Sequence, residues 1–185
     1  MAQGPTGGKR DMTAPTFVKS SPTPNSLNVK EKRIEIDFNE YLQLDNPSQK
    51  LIISPPQKST PTAKAIGKKI IVELKDSLQP NTTYTIDFNN SIGDFTENNI
   101  VNDFIYTFST GDVLDTLTIS GTVLNAEDLT PANGITVGIY SSDVDSLFTT
   151  TRFERIGKTN ASGRFSIRGV KAQHYRIFAL EDLNN

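Results

Sequence analysis

The chain of 185 residues has no cysteine, no tryptophan, one histidine and two methionines. Without cysteine there is neither a disulfide framework nor a thiolate metal site, and no redox compartment can be read from thiols. With His174 as the single histidine, any serine-type triad would have to use it, and neither a GxSxG elbow nor an HExxH pair is present to support one. No assembly of nucleophile, base and orienter can be built, so no catalytic residue is assigned and an enzyme is not expected. The lack of tryptophan removes the flat indole platform common in sugar-binding sandwiches. No stretch approaches the roughly 20 apolar residues of a membrane-spanning helix, and residues 1–15 lack the apolar centre of a signal peptide. Charge of one sign is lacking as well: 19 lysines and arginines, scattered along the chain, stand against 21 aspartates and glutamates, a formal net charge of −2. This balance gives no long-range attraction to a phosphate backbone and excludes nucleic acid as the expected partner.

What is present is alternation with a period of two. Tyr84, Ile86 and Phe88 alternate with Thr83, Thr85 and Asp87, and Phe104, Tyr106 and Phe108 alternate with Ile105, Thr107 and Ser109. Successive strand side chains point to opposite faces, so each run predicts a half-buried strand with its large residues facing a core. Phe88 and Phe108 are expected in that core together. The polar stretch Asn89–Asp103 between the runs is expected to be a crossover loop. Further strands are predicted at Phe17-Val18, Arg33–Phe38 (with one wet face), Lys50–Ser54, Ala65–Leu74 after a Gly67-Lys68 turn, Leu117–Val123, Ile135–Tyr140, Phe153–Lys158, Gly163–Val170 and Tyr175–Leu180. The segment Asn160–Gly163 reads as a hairpin turn, because Gly163 can take a positive φ at little cost. Many short strands with proline and glycine between them, and no helical period, predict an all-β chain of two consecutive antiparallel β-sandwich domains. The expected division is a tether over 1–15, a first sandwich over 16–111, a connector over 112–116 and a second sandwich over 117–185, with the closing residues Glu181–Asn185 either fading into disorder or continuing beyond the segment.

Oxygen-bearing residues are the remaining source of chemistry. Asp94, Glu97, Asn98 and Asn99 share one loop, but the EF-hand spacing is absent, so a solvated turn is expected and no metal site or cofactor is assigned. Asp112 and Asp115 flank the connector, where a polar linker is the plain reading. Tyr41, Phe95 and Phe148 lie in loop-like sequence, out of phase with the core pattern. They are the candidates for a partner-contact surface, or else plugs closing one end of a sandwich.

The order of words TAPTFVKSSPTPNSLNV, IEIDFNEYLQL, LIISPP, LQPNTTYTIDF and FIYTFSTGD over residues 13–111 resembles the bacterial Ig-like domain of the surface-layer type, as it occurs in lipoproteins of Bacteroidota. GPTGGKRDMTAP resembles the segment that follows the lipidated cysteine in such proteins, although Gly8 runs directly into Lys9 and no cysteine is present. The second half, with ISGTV, GITVGIY and TNASGRFSIRGVKAQHYRIFAL, resembles a carboxypeptidase-regulatory-like or transthyretin-like sandwich. There Gly121 would sit in the first strand, Gly163 and Phe165 at the turn into the next, and Tyr175 in the closing strand; Gln173-His174 stand where a glycine is usual. Both resemblances imply a noncatalytic lipoprotein at the outer membrane, on the cell surface or the periplasmic face. It would be held by an N-terminal lipid anchor absent from this chain, and would act as a rigid spacer or a subunit that binds other envelope proteins. The alternative is a glycan-binding accessory module of a polysaccharide-capture system. The same resemblance implies O-linked glycan acceptors at Ser77, Thr116 and Ser146, each within an Asp-hydroxyl-aliphatic triplet.

Overall fold

The computed structural model describes residues 10–144 and 147–181. In chain order the elements are β1 (Phe17–Ser21), β2 (Arg33–Phe38), β3 (Leu42–Leu44), α1 (Pro47–Lys50), β4 (Ile52–Ser54), β5 (Thr62–Ile66), β6 (Lys69–Glu73), β7 (Thr83–Asp87), β8 (Ile92–Asp94) and β9 (Ile105–Ser109). Then come β10 (Leu117–Thr122), β11 (Thr136–Tyr140), α2 (Leu147–Thr150), β12 (Arg155–Lys158), β13 (Arg164–Val170) and β14 (Arg176–Leu180). The strand pairings are antiparallel, so the chain is all-β as the alternation predicts. Among the described residues, none of β1–β9 pairs with any of β10–β14.

Within β1–β9 a sheet ordered β1-β2-β6-β5 faces a sheet ordered β4-β7-β9, and a short β3-β8 ladder completes the unit. The core between them takes Ile34, Ile36 and Phe38 from β2, Ile70 and Val72 from β6, and Tyr84, Ile86, Tyr106 and Phe108 from β7 and β9. Phe88 and Phe108 are both fully buried in it, and Phe108 stacks on Tyr84 with ring centroids 5.2 Å apart. The phenol of Tyr84 accepts from the Gln79 N–H, and that of Tyr106 donates to the Pro22 carbonyl, so the two buried hydroxyls are paired. On the outer side of β2 and β6, Glu35 and Lys64 flank Ile71 across the ladders. The ion pairs of Arg33 and Lys69 with Glu35 lie over this face, and the aliphatic stems help to bury Ile71.

Three expectations are corrected here. The segment Asn89–Asp103 is not simply a crossover loop. It contains β8, whose Ile92 is fully buried and which pairs with β3, a strand of three residues too short to show a period. Within β8, Gly93 leaves room for the following turn, because a Cβ there would lie 2.5 Å from Asn98 Oδ1. The turn over Asn160–Gly163 exists, with Gly163 at φ +70°, but it is not a hairpin turn: β12 and β13 belong to different sheets. Finally, β7 is not half-buried. Thr83 and Thr85, on the face away from the core, are as covered as Tyr84 and Ile86.

The strands β10–β14 form a smaller unit, with β12-β11-β14 on one side and β10-β13 on the other. Its core is Val137, Ile139, Ile167 and Val170. On the outer face of β11, Phe153 lies flat over Gly138, where a Cβ would fall 2.0 Å from the ring. Tyr140 packs beside Phe153 with centroids 5.1 Å apart.

Candidate functional site

The covered threonines of β7 mark where the two units meet. β12 and β13 lie against the outer face of β4 and β7. Arg155, 7 % exposed, reaches across: its Nη2 donates to the Thr83 carbonyl at 2.5 Å and its Nη1 to the Arg168 carbonyl at 3.4 Å. Burial pushes the guanidinium's pKa down, with Asp115 the foremost group opposing the shift, and it stays charged because arginine starts far above neutrality. The Ile156 N–H donates to Ser54 Oγ at 3.2 Å, and the Arg152 guanidinium to the Gln57 carbonyl at 2.7 Å. Gly169, at φ +69°, brings the β13 backbone so close that a Cβ would lie 3.1 Å from Thr83 Cγ2. The connector is tied down as well. Thr83 Oγ1 donates to Asp115 Oδ2 and accepts from the Asp115 N–H, Ser109 Oγ donates to the Val113 carbonyl, and Asn28 Nδ2 donates to Asp112 Oδ1. Asp112 and Asp115 are thus engaged by protein donors.

Beside this junction opens a cleft of about 1080 Å³ with walls from both units. The first unit contributes Gln57, Lys58, Asp76, Ser77 and Gln79; the second contributes Arg152, Phe153, Glu154, Lys171, Gln173 and Tyr175, and Arg155 lies at its margin. Asp76 accepts from the backbone N–H groups of Lys58 and Ser59, and the Lys58 bond, first among the causes, holds its carboxyl below the ordinary range. Glu154 accepts from the N–H and hydroxyl of Ser141. Gln57 Oε1 is a buried acceptor without a hydrogen-bond partner.

Tyr41 and Phe95, 65 % and 70 % exposed, are brought together at another place: the Phe95 N–H donates to the Tyr41 carbonyl at 2.9 Å. Lys68 Nζ lies 5.6 Å from the centre of the Tyr41 ring. They close no core and form a surface pair. Residues 10–13 run past the same loop, where Arg10 donates to the Glu97 carbonyl and Asn99 to the Asp11 carbonyl. The side chain of Phe148, in α2, lies outside the described residues, and so does Ser146. Ser77 is exposed on the rim of the cleft and Thr116 is exposed just before β10. His174 is exposed in the segment leading to β14.

Asp94 is buried, and its carboxylate accepts four backbone N–H groups, from Thr96, Glu97, Asn98 and Asn99. Burial works to raise its pKa, but these four donors outweigh it and hold the carboxyl below the ordinary range. The oxygen cluster is therefore a capped turn. Among the described residues, no group of three or more histidines, aspartates or glutamates could hold a metal ion.

Sequence reasoning missed the junction residues. Arg155 carries one usable signal: in Arg-Ile-Gly-Lys it shares the inward phase with Gly157, where a cation has no place unless something outside its own sandwich receives it.

These features define a β-sandwich module with a clamped internal junction, and among the described residues no helix is long and apolar enough to cross a membrane. The family model for the bacterial Ig-like domain matches residues 11–110, more than half of the 185, and the chain belongs to that family. Domains of this family are typically non-catalytic. No curated protein matches the chain. Among solved structures, an L,D-transpeptidase from Mycobacterium smegmatis is 10 % identical over 88 % of this chain and 79 % of its own, with a TM-score of 0.36. The N-terminal part of the bacterial S-layer protein SbsC is 16 % identical over 92 % of this chain and 45 % of its own, with a TM-score of 0.34. The T6 backbone pilin of serotype M6 Streptococcus pyogenes is 14 % identical over 91 % of this chain and 48 % of its own, with a TM-score of 0.29. At such scores these likenesses carry no argument about activity.

Proposed function

We propose that the chain is the extracytoplasmic part of a noncatalytic cell-envelope lipoprotein of the Bacteroidota type, in which an Ig-like sandwich and a carboxypeptidase-regulatory-like sandwich act as one stiff arm. The arm serves as a spacer, or as a subunit that holds other envelope proteins at an outer-membrane complex. The observation that supports this reading best is the junction: Arg155, Ile156 and Arg152 of the second unit bond to Thr83, Ser54 and Gln57 of the first. A spacer requires such a fixed joint. Tyr41 and Phe95 are the protein-contact surface in this reading, because two large exposed aromatics on backbone segments joined by a hydrogen bond bury apolar area when a partner covers them.

The test is capture from native envelope membranes with the lipidated protein as bait, comparing wild type with Tyr41→Ser/Phe95→Ser. A specific envelope partner retained by the wild type and lost by the variant supports the reading. Equal capture by both removes Tyr41 and Phe95 as the contact surface, and capture of nothing by either removes the subunit role. Intact-mass measurement of material from the native host tests the glycan acceptors: mass beyond polypeptide and lipid is expected, and its absence removes Ser77, Thr116 and Ser146 together.

A further inference from the structure

The junction cleft has an uneven charge. Its lining includes four cations, Lys58, Arg152, Arg155 and Lys171, and two carboxylates, Asp76 and Glu154, in a chain whose formal net charge is −2. Among the described residues, none of the four cations has a carboxylate within ion-pair distance; the ion pairs gather on Arg33, Lys50, Lys69 and Lys75 instead. The two carboxylates keep their charge while accepting local N–H and O–H donors, so four cations against two carboxylates leave the lining with a formal excess of two positive charges. Lys58 and Lys171 are both exposed in the lining, one from each unit. The lining is also polar and unionised at Gln57, Ser77, Gln79 and Gln173, and it includes Tyr175 and Phe153.

We propose that this cleft binds a carboxylate-bearing oligosaccharide, its acid groups on Lys58, Arg152 and Lys171 and its hydroxyls on the glutamine amides. Arg152 and Lys171 already donate to the neutral Gln57 and Asn81 carbonyls, and an acid group adds the negative charge that those acceptors lack, ion-to-ion bonds being stronger than bonds to neutral groups. The amides require a ligand that both donates and accepts. Gln57 Oε1, an acceptor without a partner, takes a sugar hydroxyl once its amide turns outward. The half-buried Tyr175 and Phe153 side chains add some apolar surface to the lining. A phosphate or other small anion would leave most of the cleft unfilled at about 1080 Å³. The site goes beyond the spacer role: Arg155, Arg152 and Lys171 donate to carbonyls across the joint, which leaves their charge, and that of the exposed Lys58, without an ion-paired carboxylate among the described residues.

The test uses the 185-residue chain and titration calorimetry with a galacturonic acid hexamer, a neutral glucose hexamer and hexaglutamate as probes. Saturable binding of the uronate alone is expected, weakening as salt rises through the range where the Debye length falls from about 10 Å to about 3 Å. Lys58→Gln and Lys171→Gln should each weaken it several-fold with unchanged melting temperature, while Lys19→Gln and Lys30→Gln, exposed elsewhere, leave it alone. Equal binding of the neutral hexamer, tighter binding of hexaglutamate, indifference to Lys58→Gln and Lys171→Gln, or no uronate binding would each overturn the assignment. None of these outcomes bears on the rigid joint, which the ligand does not create.

Discussion

Replacing Arg155 by alanine removes a buried cation that spans the junction. Its short bond to the Thr83 carbonyl is charge-assisted, a class that contributes about 1.5–3 kcal/mol, whereas the bond to the Arg168 carbonyl at 3.4 Å adds little. Truncation also empties the volume of the aliphatic stem, for which buried long side chains cost about 2–5 kcal/mol on change to alanine. Against both stands the relief of desolvating a guanidinium, which in buried charged groups offsets much of the gain. We expect a net loss of about 2–4 kcal/mol for Arg155→Ala. Arg155→Met keeps the stem and abolishes only the polar bonds, so its cost should be smaller, about 1–2 kcal/mol. The assay is urea denaturation followed by tyrosine fluorescence, which suits a chain with five tyrosines and no tryptophan. Amide hydrogen exchange at Ile156, whose N–H donates to Ser54, reports local opening of the junction. A loss for Arg155→Ala below about 0.5 kcal/mol, the size of an ordinary surface change, with Ile156 exchange unaltered, would refute the clamp.

Phe108→Ala should cost about 3–5 kcal/mol, because the ring is fully buried and stacked on Tyr84; a midpoint in urea close to wild type would mean that the β9 phase is wrong. Gly138→Ala should destabilise by about 1–3 kcal/mol through overpacking against Phe153, and Gly138→Ala/Phe153→Leu should lose less than the sum of the two single changes, while strict additivity would deny the contact. Asp94, whose folded pKa is depressed, contributes stability that is present above its unfolded value near 4 and lost as pH falls through the folded value. Asp94→Asn should therefore be less stable at pH 7, with the gap to wild type narrowing below about pH 4; a constant gap would assign the loss to shape and not to charge.

The inward rows of β2, β7 and β9 were legible because each strand is long enough to show a period of two, and a period of two has one meaning in an open sheet. The strands β3 and β8, of three residues each, fall below that limit. The second face of β7 was illegible for a different reason. Threonine is at home on a wet strand face, and what covers Thr83 and Thr85 is a surface formed more than seventy residues later. Tyr41 and Phe95 could each be singled out as aromatics out of phase. Their meeting rests on one backbone bond between β3 and β8 flanks, which no local pattern encodes. The cleft is harder still. Lys58, Arg152 and Lys171 are ordinary solvated residues in sequence and become a set only when two sandwiches are apposed. The Asp94 loop reads as a turn without a metal, but its buried, backbone-capped carboxylate was not legible, since oxygen-rich loops that are solvated and loops closed by backbone donors share a composition.

The central claim is that the two sandwiches move as one body. The absence of native cysteine allows spin labels to be placed at Lys64→Cys and Thr122→Cys alone, both exposed and one in each unit. Pulsed electron–electron dipolar spectroscopy then reads the distance between them. A single narrow distribution, unchanged by added salt and broadened by Arg155→Ala, is what the clamped junction predicts; a broad distribution in the wild-type background would contradict it and leave two sandwiches moving independently on a tether.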